Sequence, residues 1–206
     1  MYCAVCKCEF EGWQDTCPNC QNPLVEAKPP ELPVSLQTAL TYEDLVTLLR
    51  QNDGQLTVDL AASGSSRQKK RGFPYFGYGY AWVRSMQGNF DTHRIELHTT
   101  EVGKDKSNGF PYFGFGYAWA KKMEGQVAGS KLSLSASRVA RSEKRGFPYF
   151  GFGCAWTQEM NGQCGDEIRA SLSVTRVASQ EEHGFPYAGF GLAWESEATL
   201  TLSLTE

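Results

Sequence analysis

The segment Gly72-Phe73-Pro74-Tyr75-Phe76-Gly77-Tyr78-Gly79-Tyr80-Ala81-Trp82 decides how this chain is read, because it returns three more times. GFPYFGFGYAW begins at Gly109, GFPYFGFGCAW at Gly146 and GFPYAGFGLAW at Gly184, spacings of 37, 37 and 38 residues. A period of this length means one supersecondary unit repeated in space. The phrase alternates. Phe76, Tyr78, Tyr80, Trp82 and then Met86 fall on one face, with Gly77, Gly79, Ala81, Val83 and Ser85 on the other. Such alternation reads as a strand. The glycine face runs on into Lys122, Glu159 and Glu195 in the later units, so the pattern predicts a wet glycine face and an aromatic face that forms the core. Two glycines per strand cost chain entropy. Curvature that lets a twisted sheet close is the expected reason, and close approach of a ligand, a membrane or a second sheet is the other.

Each unit also holds a leucine-rich alternating stretch: Leu56-Val58-Leu60, Ile95-Leu97-Thr99, Leu132-Leu134-Ala136 and Ala170-Leu172-Val174. Polar connections follow at 66–71, 103–108, 141–145 and 179–183, and the glycines of Gln87-Gly88, Glu124-Gly125 and Asn161-Gly162 read as hairpin turns. Val102, Val139 and Val177 sit off the parity of the strand before them, which predicts a bulge. Leu200-Leu202-Leu204 is either a ninth short strand or the far end of a long eighth one. The expected fold over 55–206 is all-β, an antiparallel meander of about eight to nine strands from four ~37-residue hairpin repeats. Closure into a barrel removes vulnerable edges; a β-sandwich is the alternative.

The first fifty residues differ in kind. Residues 1–54 carry three basic and eight acidic side chains, and the rest seventeen and fifteen. Five of the seven cysteines lie in the first twenty residues, which is no disulfide framework and fits a reducing, cytoplasmic setting. Cys3-x2-Cys6 and Cys17-x2-Cys20 can point four thiolates at one tetrahedral centre, the geometry of a single structural zinc. With Tyr2, Phe10, Gly12 and Trp13 as apolar support, residues 1–24 resemble the short zinc ribbons of bacterial and archaeal proteins, of the form YCxxC…F.G…CPxC. Lys7 and Cys8 depart from that pattern, and Cys8 is a spare thiol that can compete as a ligand. So short a module depends on its metal to fold. Prolines in LVEAKPPELPV make 25–40 a semi-rigid linker. Thr41, Glu43 and Asp44 then start a short helix over 41–53 that Asn52-Asp53-Gly54 stops, and its leucine stripe is suited to covering the end of a sheet.

No recognised catalytic set accompanies the repeat, so the sequence predicts a protein that is not an enzyme. The leading expectation is a binding or assembly protein, a repeat β body with a zinc docking module, acting on a protein partner or on itself. Its candidate ligand-contact surface is Phe73, Tyr75, Phe110, Tyr112, Phe147, Tyr149, Phe185 and Tyr187. Arg71-Gly72-Phe73-x-Tyr75-Phe76-Gly77-Tyr78 resembles the basic–glycine–aromatic strand of cold-shock and RNA-recognition domains. That resemblance implies single-stranded nucleic-acid binding, with Lys69, Lys70, Arg71, Lys144 and Arg145 as anion contacts. Alternating glycine and aromatic residues are also similar to outer-membrane barrel strands, which implies membrane insertion. A small ligand stacked on the tyrosines at the barrel mouth is the last alternative.

Overall fold

The computed structural model describes residues 2, 3, 8, 9 and 40–205, apart from 73–75, 92, 110–112, 147–149 and 185–187. The chain forms two compact units, Met1–Ala39 and Leu40–Glu206. In the first, β1 (Tyr2–Cys3) pairs antiparallel with β2 (Cys8–Glu9), Cys3 standing opposite Cys8.

The second unit begins with α1 (Tyr42–Gln51), started by a capping box in which the Thr41 hydroxyl accepts from the Asp44 amide and the Asp44 carboxylate accepts from the Thr41 amide. Eight long strands follow: β3 (Gln55–Gly72), β4 (Phe76–Phe90), β5 (His93–Gly109), β6 (Phe113–Val127), β7 (Ser130–Gly146), β8 (Phe150–Cys164), β9 (Ile168–Gly184) and β10 (Ala188–Leu204). They close as an antiparallel meander barrel in which β10 pairs with β3. The alternation thus gave the architecture correctly, and Leu200-Leu202-Leu204 is the far end of the eighth barrel strand. No helix of the described residues is long and apolar enough to cross a membrane.

The barrel has two unlike halves. Toward the helix all eight strands are laddered, through Glu197–Ser203 with Gln55–Ala61, Ser85–Phe90 with His93–His98, Lys122–Val127 with Ser130–Ser135, and Glu159–Cys164 with Ile168–Ser173. Beyond those ladders, pairing among the described residues continues only within β3–β4, β5–β6, β7–β8 and β9–β10, out to Gly72, Gly109, Gly146 and Gly184. A closed barrel therefore opens into four two-stranded ribbons. The closed half is filled by Leu60, Leu97, Leu134, Leu172, Leu200 and the methionines Met86, Met123 and Met160, and Leu45 and Leu49 of α1 join this core. At eight strands a barrel interior is just wide enough for side chains to fill it.

Three expectations fail, each for a local reason. The polar stretches at 66–71, 103–108, 141–145 and 179–183 are not connections but the outer strands of the ribbons. Gly88, Gly125 and Gly162 are not turns. They lie within β4, β6 and β8, where a methyl group would come within 2.2, 2.2 and 1.8 Å of the carbonyl oxygens of Asp59, Glu96 and Ser133. The chain instead reverses at positive-φ residues, Asp91, Ala128-Gly129 and Gly165.

The glycine face, third, is not wet. Gly77, Gly79, Ala81 and Val83 are all buried, as are their equivalents. A methyl group on Gly116 would lie 2.4 Å from the Gly79 carbonyl oxygen, one on Gly79 2.6 Å from that of Gly191, and one on Gly191 2.9 Å from that of Gly153. The four aromatic strands thus meet backbone to backbone around the axis, which no side chain larger than hydrogen permits. Parity reverses at the bulge. Val83 and Met86 both point into the core because β3 and β4 slip register between Ala62↔Met86 and Ser65↔Val83. Matching slips at Glu101/Val102 and Arg138/Val139 turn Lys122 and Glu159 away from the glycine face, and they place the predicted bulge at the off-parity valines.

Candidate functional site

With glycines on the axis, the aromatic side chains project the other way, into clefts between ribbons. Tyr78, Tyr80 and Trp82 of β4 are only 6, 8 and 9% exposed, packed on Ala118 of β6 and Val102 of β5. Phe115, Tyr117 and Trp119 of β6 repeat the arrangement on Ala155 and Val139. Rings along one strand stack at 6.5 Å between centroids, for both Tyr78–Tyr80 and Phe115–Tyr117. The sequence expectation that the aromatic face is buried holds, but the rings fill four lateral clefts and not the central core.

Over each row lies a polar layer from the outer strands. The Lys104 ammonium stands 4.7 Å from the Trp82 ring centre and donates to Gln68 at 3.0 Å. Arg141 lies 4.8 Å over Tyr117 and pairs with Asp105 at 3.2 Å. Arg67 lies 4.4 Å over Trp194 and donates to Gln180 at 3.0 Å. Cations favour the faces of electron-rich rings. Each exposed pair adds little stability alone, yet together they lace neighbouring ribbons and keep water off the rings. Tyr117 shows the effect on chemistry: burial, and donation of its hydroxyl to Glu143, push its pKa up to about 12.

Where the four strands cross from ribbons into barrel, the residues after the tryptophans form one level: Val83, Ala120, Thr157 and Glu195. Glu195 is 2% exposed, its carboxylate accepting from the Thr157 amide at 2.6 Å and the Val83 amide at 3.3 Å. Thr157 donates its hydroxyl to the Ala120 carbonyl at 2.6 Å, and Thr99 donates to that of Val83 at 2.6 Å. The sequence reading used Glu195 as a sign of a wet face; it is instead a buried acceptor for bulge amides on the two adjacent aromatic strands. Burial raises its pKa above the ordinary carboxylate value, although those amides pull the other way.

The third cleft differs. Phe152, Cys154 and Trp156 line a cavity of about 250 Å³ with Val177, Ser179 and Glu181. Burial, then the nearby Glu181 charge, raises the Cys154 pKa, so the thiol is not poised as a nucleophile. Cys164 lies in the closed core, its thiol pushed up to about 11 by burial.

Of the residues singled out from sequence, Phe73, Tyr75, Phe110, Tyr112, Phe147, Tyr149, Phe185 and Tyr187 lie outside the described residues, as do Cys6, Cys17, Cys20 and the side chains of Cys3 and Arg71. Lys69 pairs with Glu182, and Lys144 with Glu181 at 3.0 Å; Lys70 and Arg145 are exposed. Sequence reasoning passed over Glu181 and the interior role of Glu195. The available signal was departure from the repeat at matched positions. Comparison with protein-family models, with curated proteins and with solved structures finds no match for this chain.

Proposed function

We propose that the chain is a non-enzymatic binding or assembly protein, a rigid β pillar that displays four copies of one loop to a protein partner or a second copy of itself. The observation that carries this reading is the shared register of the ribbon ends, Gly72↔Phe76, Gly109↔Phe113, Gly146↔Phe150 and Gly184↔Ala188. In an antiparallel meander those four ends belong to one rim, and in the sequence each is followed by the same Phe-Pro-Tyr segment. Repeated weak contacts on one rigid support gain by avidity, about 10²–10⁴ over a single contact. The buried rings and the acid-paired Lys69 and Lys144 favour this over stacking on nucleic acid. Exposed charge along the outer strands favours it over insertion into lipid.

Replacing Tyr75, Tyr112, Tyr149 and Tyr187 together by Ser is expected to abolish partner cross-linking in cells and self-association in sedimentation, with an unchanged β-sheet circular dichroism spectrum. Steeply salt-dependent binding of a fluorescent single-stranded oligonucleotide, weakened by Tyr75→Ala with Lys70→Ala, would contradict the reading, as would leakage from anionic vesicles.

The second module in this reading is a zinc ribbon held by Cys3, Cys6, Cys17 and Cys20. In support of it, the β1–β2 pairing sets Tyr2 opposite Glu9 and Cys3 opposite Cys8. Zinc would clamp the segment and contribute no reaction chemistry. A chelator is expected to make residues 1–24 protease-sensitive while leaving the barrel's β signal intact. Loss of both together would count against two independent modules.

A further inference from the structure

The third cleft lacks two things that the first and second have. At the middle ring position of the four aromatic strands stand Tyr80, Tyr117, Cys154 and Leu192. At the covering position, five residues before each GFP phrase, stand Arg67, Lys104, Arg141 and Ser179. Cys154 and Ser179 face the same cleft, so ring and covering cation are missing at one place, and the cavity of about 250 Å³ opens there. In the fourth cleft Leu192 is 1% exposed and Arg67 still covers the row, over Trp194. A dry pocket of about 150 Å³ is enough to take up benzene in other proteins, so the third cleft has room for one ring.

The second cleft shows which ring. There the Tyr117 hydroxyl donates to Glu143, and the Ser107 side chain acts on the same hydroxyl, favouring its ionised form. The repeat equivalents of Glu143 and Ser107 in the third cleft are Glu181 and Lys144. Both line the cavity, 3.0 Å from each other, an acceptor and a donor at its polar end. Phe152, Trp156 and Val177 supply apolar walls, and between the two rings on β8 stands Cys154, whose polarisable sulfur favours ring edges.

We propose that this cleft binds a 4-hydroxyphenyl group, supplied by a free small phenol or by a tyrosine side chain of another chain. The ring takes the place that Tyr117 fills one unit earlier, between Phe152 and Trp156. Its hydroxyl donates to Glu181 and accepts from Lys144. None of the residues of the Phe-Pro-Tyr connections takes part, so the site stands or falls apart from the loop-display reading.

Calorimetric titration of the full chain with p-cresol, toluene and N-acetyltyrosinamide tests the site. p-Cresol is expected to saturate one site. Toluene, which lacks the hydroxyl, should bind about tenfold more weakly, the effect of one hydrogen bond to a charged group. Glu181→Gln should lower p-cresol affinity by about the same factor and leave toluene unchanged. Cys154→Tyr restores the internal ring and should abolish binding of both; if it misfolds by circular dichroism, Cys154→Leu, the residue used in the fourth unit, serves instead. Binding of N-acetyltyrosinamide alongside p-cresol identifies a tyrosine side chain as the source, and its exclusion a free phenol. Failure of p-cresol to saturate, equal affinity for toluene, or undiminished binding by the folded filled variant overturns the proposal.

Discussion

Gly116→Val is expected to destabilise the barrel by at least ~3 kcal/mol and to leave little folded protein at physiological temperature. The new Cβ alone would stand 2.4 Å from the Gly79 carbonyl oxygen and 3.0 Å from the Gly79 amide nitrogen. Those atoms are backbone, so no rotamer change relieves the clash. Gly79 is in turn pressed on Gly191, and Gly191 on Gly153, so the strain must be shared by three further strands or by none. Overpacked cores usually lose about 1–3 kcal/mol because side chains shift, and the larger loss here follows from their not being side chains. Thr57→Val, on an exposed position of β3, is the control and should lie within ~0.5 kcal/mol of the parent. Chemical denaturation of both variants measures the difference.

Glu195→Ala is expected to cost about 3 kcal/mol, because it leaves the amides of Val83 and Thr157 without an acceptor in a site that water does not reach. For a domain of this size that corresponds to a fall in melting temperature of roughly 10 °C. Glu195 also sets a pH dependence whose sign is opposite to that of a paired surface acid. Its native pKa lies above the ordinary 4.5, so the native state holds this proton more tightly than the unfolded chain. The stabilisation tied to that proton is complete below 4.5 and is lost as pH rises through the raised native value. Relative to Glu195→Gln, which cannot ionise, the parent should be most favoured in mild acid and lose ground toward neutrality. Thermal unfolding of the pair across that range measures it. A parent that gains on the variant as pH rises would show that hydrogen bonding, not burial, governs this carboxylate.

These two positions also show what the sequence could and could not reveal. The 37-residue period and the alternating strands announced a closed antiparallel meander, since hairpins of this kind have few other ways to bury a row of leucines and protect their edges. The off-parity valines announced the bulge. The error came from treating an aromatic strand as one face dry and one face wet. Tyr78 and Gly79 are both buried: the glycine meets backbone on the axis, and the tyrosine meets the next ribbon under Lys106. Charged outer strands such as Arg67–Lys70 looked like loops because their long side chains cover a neighbour's rings while their heads stay in water. Glu195 looked exposed because two unpaired bulge amides cannot be seen in a one-dimensional pattern. The cavity at Cys154 was spelled out by the repeats, as a tyrosine missing from the third unit and a cation missing from the fourth. Its meaning depended on knowing that Ser179 of β9 covers the same cleft as Cys154 of β8.

The arrangement of glycines inward and rings outward is tested most directly by nuclear Overhauser contacts between glycine α protons. Strong cross-peaks are expected between Gly79 and Gly116 and between Gly153 and Gly191, glycines on separate ribbons that share the axis. Cross-axis contacts between the rings of Tyr78 or Tyr80 and those of Phe115 or Tyr117, with the glycine pairs silent, would mean that the aromatic face fills the centre and that the pillar is inside out.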